Sequence, residues 1–136
     1  MAGQRGRDVL LKIDDGTGSF VTVAGIRSKT LSFNSGLVDG THTESPEAWR
    51  ELIAGAGVKS ARIGGNGVFK DAVSDARVRQ LFFDGEVANW QMILPNFGEV
   101  AGPFVISELT YAGDHNGEAT FSVTLESAGQ LSFEVL

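Results

Sequence analysis

The sequence predicts a mainly β fold, a sandwich or small barrel of roughly seven to nine short strands. One helix, about residues 71–84, and one long loop, about residues 35–57, accompany the strands. Three observations carry this. Period-two alternation of apolar and polar residues recurs along most of the chain, 18 glycines gather at short turn motifs, and a single stretch spaces its apolar residues as a helix does. The 136 residues are expected to form one domain, residues 1–136. A chain of this size buries about 68% of the surface its unfolded form exposes, so it needs no staple.

Residues 1–6 are polar and contain glycine, which predicts a flexible arm with Arg5 and Arg7 facing solvent or a neighbour. Val9, Leu11 and Ile13 alternate with Asp8, Leu10 and Lys12 in a first strand. Asp14-Asp15-Gly16-Thr17-Gly18 then turns the chain into a hairpin, because these residues tolerate turn geometry. Its aspartates lack the calcium-loop spacing and the terminal bidentate glutamate, so it reads as a bare turn. Residues 20–34 continue as strand, with Leu31 and Phe33 alternating with Thr30, Ser32 and Asn34.

The pattern then stops in a segment rich in Gly, Ser, Thr and Glu that still holds Trp49, Leu52 and Ile53. A loop of this length is functional or disordered, and a tryptophan argues against disorder. It is expected to make contacts outside its own subunit. Residues 58–69 resume a strand-like run in which Gly64-Gly65-Asn66-Gly67 predicts a bulge or tight turn. A phosphate cradle would need Lys-Ser/Thr in register before a helix, and that part is missing.

Asp71 is placed to cap the helix, Val73, Val78, Leu81 and Phe82 form its apolar stripe, and Gly85 ends it. Ser74, Asp75, Arg77 and Arg79 are expected on its solvated side. Trp90, Met92 and Leu94 alternate with Asn89, Gln91 and Ile93, and residues 104–111 are apolar on both faces. After the turn Asp114-His115-Asn116-Gly117, Ala119, Phe121, Val123 and Leu125 alternate with Thr120, Ser122, Thr124 and Glu126. Leu131, Phe133 and Val135, opposite Ser132 and Glu134, make the last strand.

Cysteine is absent, which excludes disulfides and thiolate metal sites and suits a reducing cytoplasm. The net charge of −6 disfavours attachment to nucleic acid or anionic lipid, both of which demand Lys and Arg against phosphate. MAGQRGRD has no signal-peptide core, and no apolar run reaches membrane-spanning length, so a chain starting near residue 1 with no membrane partner is expected. Catalytic constellations are missing too. His42 and His115 have no metal-ligand partners at usable spacing, Ser28 and Ser45 lack a nucleophile elbow, and Glu44, Glu47 and Glu51 read as a solvated acidic loop. No enzyme activity, metal or cofactor is expected.

The order of features nevertheless resembles a known family. Val23-Ala24-Gly25-Ile26-Arg27-Ser28-Lys29-Thr30-Leu31-Ser32, Val38-Asp39-Gly40-Thr41, Trp49-Arg50-Glu51-Leu52, Gly57-Val58-Lys59-Ser60, Gly67-Val68-Phe69 with Asp71, and Thr124-Leu125-Glu126-Ser127-Ala128-Gly129 follow one another as in the tail tube proteins of phages with long non-contractile tails. Phage-derived gene transfer agents belong to the same group. One departure is Gly40, where the family pattern often has a hydrophobic residue between Asp and Thr.

The resemblance implies a sandwich subunit with a flanking helix, assembled in the bacterial cytoplasm as sixfold rings stacked into a hollow tube that conducts DNA without binding it specifically. It also implies tape-measure, tail-terminator and distal tail proteins as partners. Contact candidates between subunits are then Arg5, Arg7, Val38, Asp39, Trp49, Leu52 and Ile53, in the loop and the arm of residues 2–7. Candidates for the lumen wall, where hydroxyl and acidic groups let DNA slide, are Thr120, Ser122, Thr124, Glu126, Ser132 and Glu134, with Thr22, Thr30 and Ser32 of the same chemistry. Two other readings are a monomeric sandwich binding module at a tail tip, using Trp49, Trp90 and Tyr111, and a tube subunit of a contractile tail or secretion system.

Overall fold

A fifteen-residue strand, β8 (Gly98–Ala112), organises the computed structural model, which describes residues 9–53, 55, 57–113 and 115–135. The expected arm of residues 2–7, with Arg5 and Arg7, lies outside the described residues. The other strands are β1 (Leu10–Asp14), β2 (Phe20–Thr22), β3 (Ile26–Ser35), β4 (Val38–Asp39), β5 (Leu52–Ile53), β6 (Lys59–Val68), β7 (Ala88–Leu94), β9 (Thr120–Ser127) and β10 (Ser132–Val135), with helix α1 (Val73–Asp84) between β6 and β7.

The two halves of β8 serve two groups of antiparallel strands. Residues 98–104 pair with β7, and 98–101 also with β10, which continues β2-β1-β7. Residues 104–112 pair with β9, which leads on to β6 and β3. A register shift between Ile106 and Glu108 bends the strand where it passes from one group to the other. The two groups face each other across one core: a Cβ on Gly65 in β6 would lie 3.8 Å from Leu11 Cδ2 in β1. Leu11, Ile13, Ile63, Trp90, Phe104 and Leu125 fill that core, as period-two alternation requires. The Lys29 ammonium donates to the Val9 carbonyl, so β3 also approaches the start of β1 and the outline is barrel-like.

Several local expectations are corrected. The run of residues 20–34 is two strands, β2 and β3, divided at Gly25 (φ +77°), whose carbonyl accepts from Val68 N at 2.9 Å. Gly64-Gly65-Asn66-Gly67 is no turn but the middle and end of β6, which pairs straight through with β9; the irregularity falls on β3, whose register shifts between Ile26 and Ser28 opposite Gly67 and Asn66. The glycines there answer to space. A Cβ on Gly67 would sit 2.0 Å from the Gly25 carbonyl oxygen, a backbone atom that cannot swing away. Gly67→Ala is therefore expected to destabilise the subunit by about 1–3 kcal/mol through overpacking, read as a lower denaturant midpoint; an unchanged midpoint refutes the reading.

Asp71 does not cap α1. It takes φ +55°, and the first turn is held instead by Asp75, whose Oδ2 accepts from Ala72 N at 2.9 Å. Gly85 closes the helix in the left-handed region at φ +66°, as expected. The buried face is Ser74, Asp75, Val78 and Leu81, whereas Val73 is exposed. Ser74 and Asp75 are therefore not solvated. Ser74 Oγ accepts from Ala24 N at 3.1 Å, and Arg77 Nε donates to the Asp14 carbonyl at 3.0 Å, so the helix is fastened to the β1–β2 end by polar groups.

Candidate functional site

Two surfaces stand out, and both are built by the β3-β6-β9-β8 group. The first is its outer face. Register sets Thr30 against Gly64 and Thr124, Ser32 against Arg62 and Glu126, and Ser28 against Asn66 and Ser122. Residues 107–112 of β8 extend the face with Glu108 opposite Thr124 and Thr110 opposite Ser122. The result is a continuous field of hydroxyl, amide and carboxylate groups that also holds the Arg62 guanidinium. Glu126 accepts from Arg62 at 2.7 and 2.8 Å, whereas Glu108 has no ion-pair partner among the described residues.

The lumen candidates thus divide. Thr120, Ser122, Thr124 and Glu126 of β9 share this face with Thr30 and Ser32, while Ser132 and Glu134 of β10 lie opposite Ala101 and Glu99 on the other group of strands. Thr22 belongs with them, opposite Lys12. The two sets line different walls. Arg62, Glu108, Thr110 and Asn66 escaped the sequence reading because β6 was expected to turn at its glycines and β8 reads as apolar on both sides.

The second surface is the segment expected as a long loop, which is a two-stranded arm continuing the β3–β6 hairpin. Gly36 N donates to Val58 O at 2.8 Å, Val38 pairs with Ile53 and Asp39 with Leu52, and Gly40 N donates to Glu51 O at 2.8 Å. The tip is folded on itself. Ser45 is buried; its Oγ accepts from His42 N at 3.0 Å and donates to Glu51 Oε2 at 3.2 Å, and Glu51 N donates to Thr41 Oγ1 at 2.7 Å. Pro46–Ala48 form a single 3-10 turn with Glu47 at φ +56°.

Gly40, the departure from the family pattern, is where a Cβ would come within 2.9 Å of Ile53 Cγ1, so a larger residue would displace the side chain across the arm. What the arm leaves bare is apolar. Trp49 is 74% exposed, and Leu37, Val38, Leu52, Ile53 and Val58 are exposed as well, none of them joined to the core.

Asp39 braces the arm, accepting from Thr41 N at 2.8 Å. Hydrogen bonds from Thr41 hold its carboxyl below the ordinary aspartate range. A lowered folded pKa contributes stability that is present above the unfolded pKa and lost as pH falls through the folded one. Acid should therefore loosen this turn. The Thr41 amide resonance is expected to titrate with a midpoint below that of a free aspartate, and a midpoint at or above it would contradict this assignment.

A family model described as phage tail tube protein matches residues 3–133. The chain belongs to the phage tail tube protein family. Among solved structures, this tail tube protein is similar to a chain in the "tail of empty GTA particle computed with helical refinement, C6 symmetry", with 54% identity, a TM-score of 0.93, and coverage of 98% of this chain and 100% of that one. It is also similar to a chain in the virion of a native gene transfer agent particle, at 53% identity and a TM-score of 0.91 over 98% and 100% of the two chains. The SPP1 tail tube shares the fold alone, at 16% identity and a TM-score of 0.72 over 97% and 79%. A comparison with curated proteins gave no match.

Proposed function

We propose that six copies of this tail tube protein join their β3-β6-β9-β8 sheets into one barrel, that such rings stack through the arm of residues 36–58, and that DNA passes through the bore. The carrying observation is a pair of open edges. Among the described residues β3 pairs only with β6, and residues 105–112 of β8 pair only with β9. Four strands alternating in direction put antiparallel edges on the two sides of the sheet, so β3 of one copy can continue the antiparallel order beside β8 of the next. Closure removes the aggregation hazard of a bare edge.

The sixfold count comes from the C6 symmetry of the similar gene transfer agent tail. Six such sheets, with strands ~4.8 Å apart and tilted roughly 40°, close at a backbone diameter of about 45–50 Å, wide enough for a duplex after side chains are added. The hydroxyl face then lines the bore and the Ser132–Glu134 face lies outside it. Its arginines, Arg62 and Arg27, are paired with Glu126 and Glu118, so phosphates meet no wall of unpaired bases there.

The role is structural and non-catalytic, with residues 1–136 acting as one tail tube domain and residues 2–7 joining the arm at the ring contact. Tape-measure, tail-terminator and distal tail proteins are the further partners, and the site of action is the tail of a phage-like particle. Electron microscopy of the concentrated purified protein, with and without a preformed tube as seed, tests this. Rings or tubes of sixfold symmetry are expected; protein that stays monomeric in both conditions excludes the proposal.

A further inference from the structure

The arm has an apolar knob that, among the described residues, packs on no part of the core. A groove of about 540 Å³ lies at the other end of the same sheet, between α1 and the ends of β6, β8 and β9. Its floor is an edge-to-face pair, Phe69 and Tyr111, with ring centroids 5.6 Å apart, and both rings remain partly exposed. Asp71 and Arg79 stand on its rim.

The placement is what matters. β6 begins at Lys59, where the arm leaves the sheet, and ends at Val68, next to Phe69 of the groove. Ten extended residues separate the two by about 30 Å, and the arm points away from the groove, so no chain can fill its own. A second copy displaced along the strand direction brings its knob to this groove. A contact of this head-to-tail kind does not close on itself; it repeats indefinitely, as a tube requires. Charges match as well. Glu47 and Arg50 flank Trp49 on the knob, and Asp71, Asp75 and Arg79 line the groove, so an acid and a base on the knob meet a base and two acids there.

We propose that this groove is the socket for the Trp49 knob of a copy in the adjacent ring. The proposal rests on the reading that the arm joins rings and adds where it lands. The chain has no cysteine, so a pair of introduced ones reports without background. Arg50→Cys with Ala76→Cys, both at exposed positions, places one thiol on the knob and one on the groove wall.

Oxidised tubes of the double variant are expected to give a ladder of covalent multimers on a non-reducing gel, and each single variant to give none, since a disulfide needs Cα atoms within about 7 Å. A second variant, Tyr111→Ala, is expected to keep the subunit's circular dichroism and raise the critical concentration for tube growth at least tenfold. Tubes that form normally without a ladder, or a Tyr111→Ala protein that polymerises at the parent's concentration, overturn the socket and leave stacking by the arm intact. A parent protein that forms rings but never stacks them overturns both.

Discussion

Trp49→Ala should give a folded subunit that no longer forms tubes. Trp49 is 74% exposed and belongs to no part of the core, so its removal costs the isolated chain little. Between rings the balance reverses. Covering a large apolar side chain is worth about 1.5–3 kcal/mol, and a ring contact made by six symmetric copies repeats that gain six times. A tryptophan in a buried contact is also the residue type that most often dominates binding. Losing it multiplies across the ring, so the expected phenotype is collapse of polymerisation rather than a graded weakening. Sedimentation and electron microscopy read the assembly, and circular dichroism reads the fold. Unfolding of the variant would show that the knob supports its own subunit, and unimpaired tubes would show that it supports nothing.

How far the sequence reveals such surfaces depends on the range of the interactions involved. The alternation in β9 and β7 is legible because one face of each strand meets the core and the other meets polar surroundings; Phe121, Val123, Leu125, Trp90 and Met92 are all buried as alternation predicts. The helix end at Gly85 is equally local. The arm is not. Its pairing of Val38 with Ile53 is two residues long and spans a turn of polar residues, so it carries no periodicity, although the exposed Trp49, Leu52 and Ile53 inside a polar stretch do signal a contact surface.

Gly64 to Gly67 mislead for a different reason. Their composition matches a turn, whereas their cause is the closeness of β3, which only the tertiary arrangement creates. Ser74 and Asp75 likewise look solvated until the β2–β3 connection and the start of α1 supply Ala24 N and Ala72 N as partners. The lumen candidates needed register. Alternation alone makes Glu126 and Glu134 equivalent, and only the switch of β8 between two strand groups separates them.

That separation leads to a test with a large expected signal. In tubes carrying Ser122→Lys and Thr124→Lys, six copies add twelve cations to each ring of the proposed bore, on strands whose native partners there are Asn66, Gly64, Thr110 and Glu108. Parent tubes should not retain a short DNA duplex. The variant tubes should retain it at about 50 mM salt and release it by roughly 200 mM, since contacts to 6–10 phosphates lose about 10³–10⁵ in affinity over that range. Location decides the interpretation, because lysines on an outer wall would also bind DNA. Duplex held inside a tube is shielded from nuclease, and duplex held outside is digested. Nuclease-resistant retention places the β3-β6-β9-β8 face in the bore; salt-dependent retention that nuclease removes places it on the outside and transfers the lumen to the Ser132–Glu134 face.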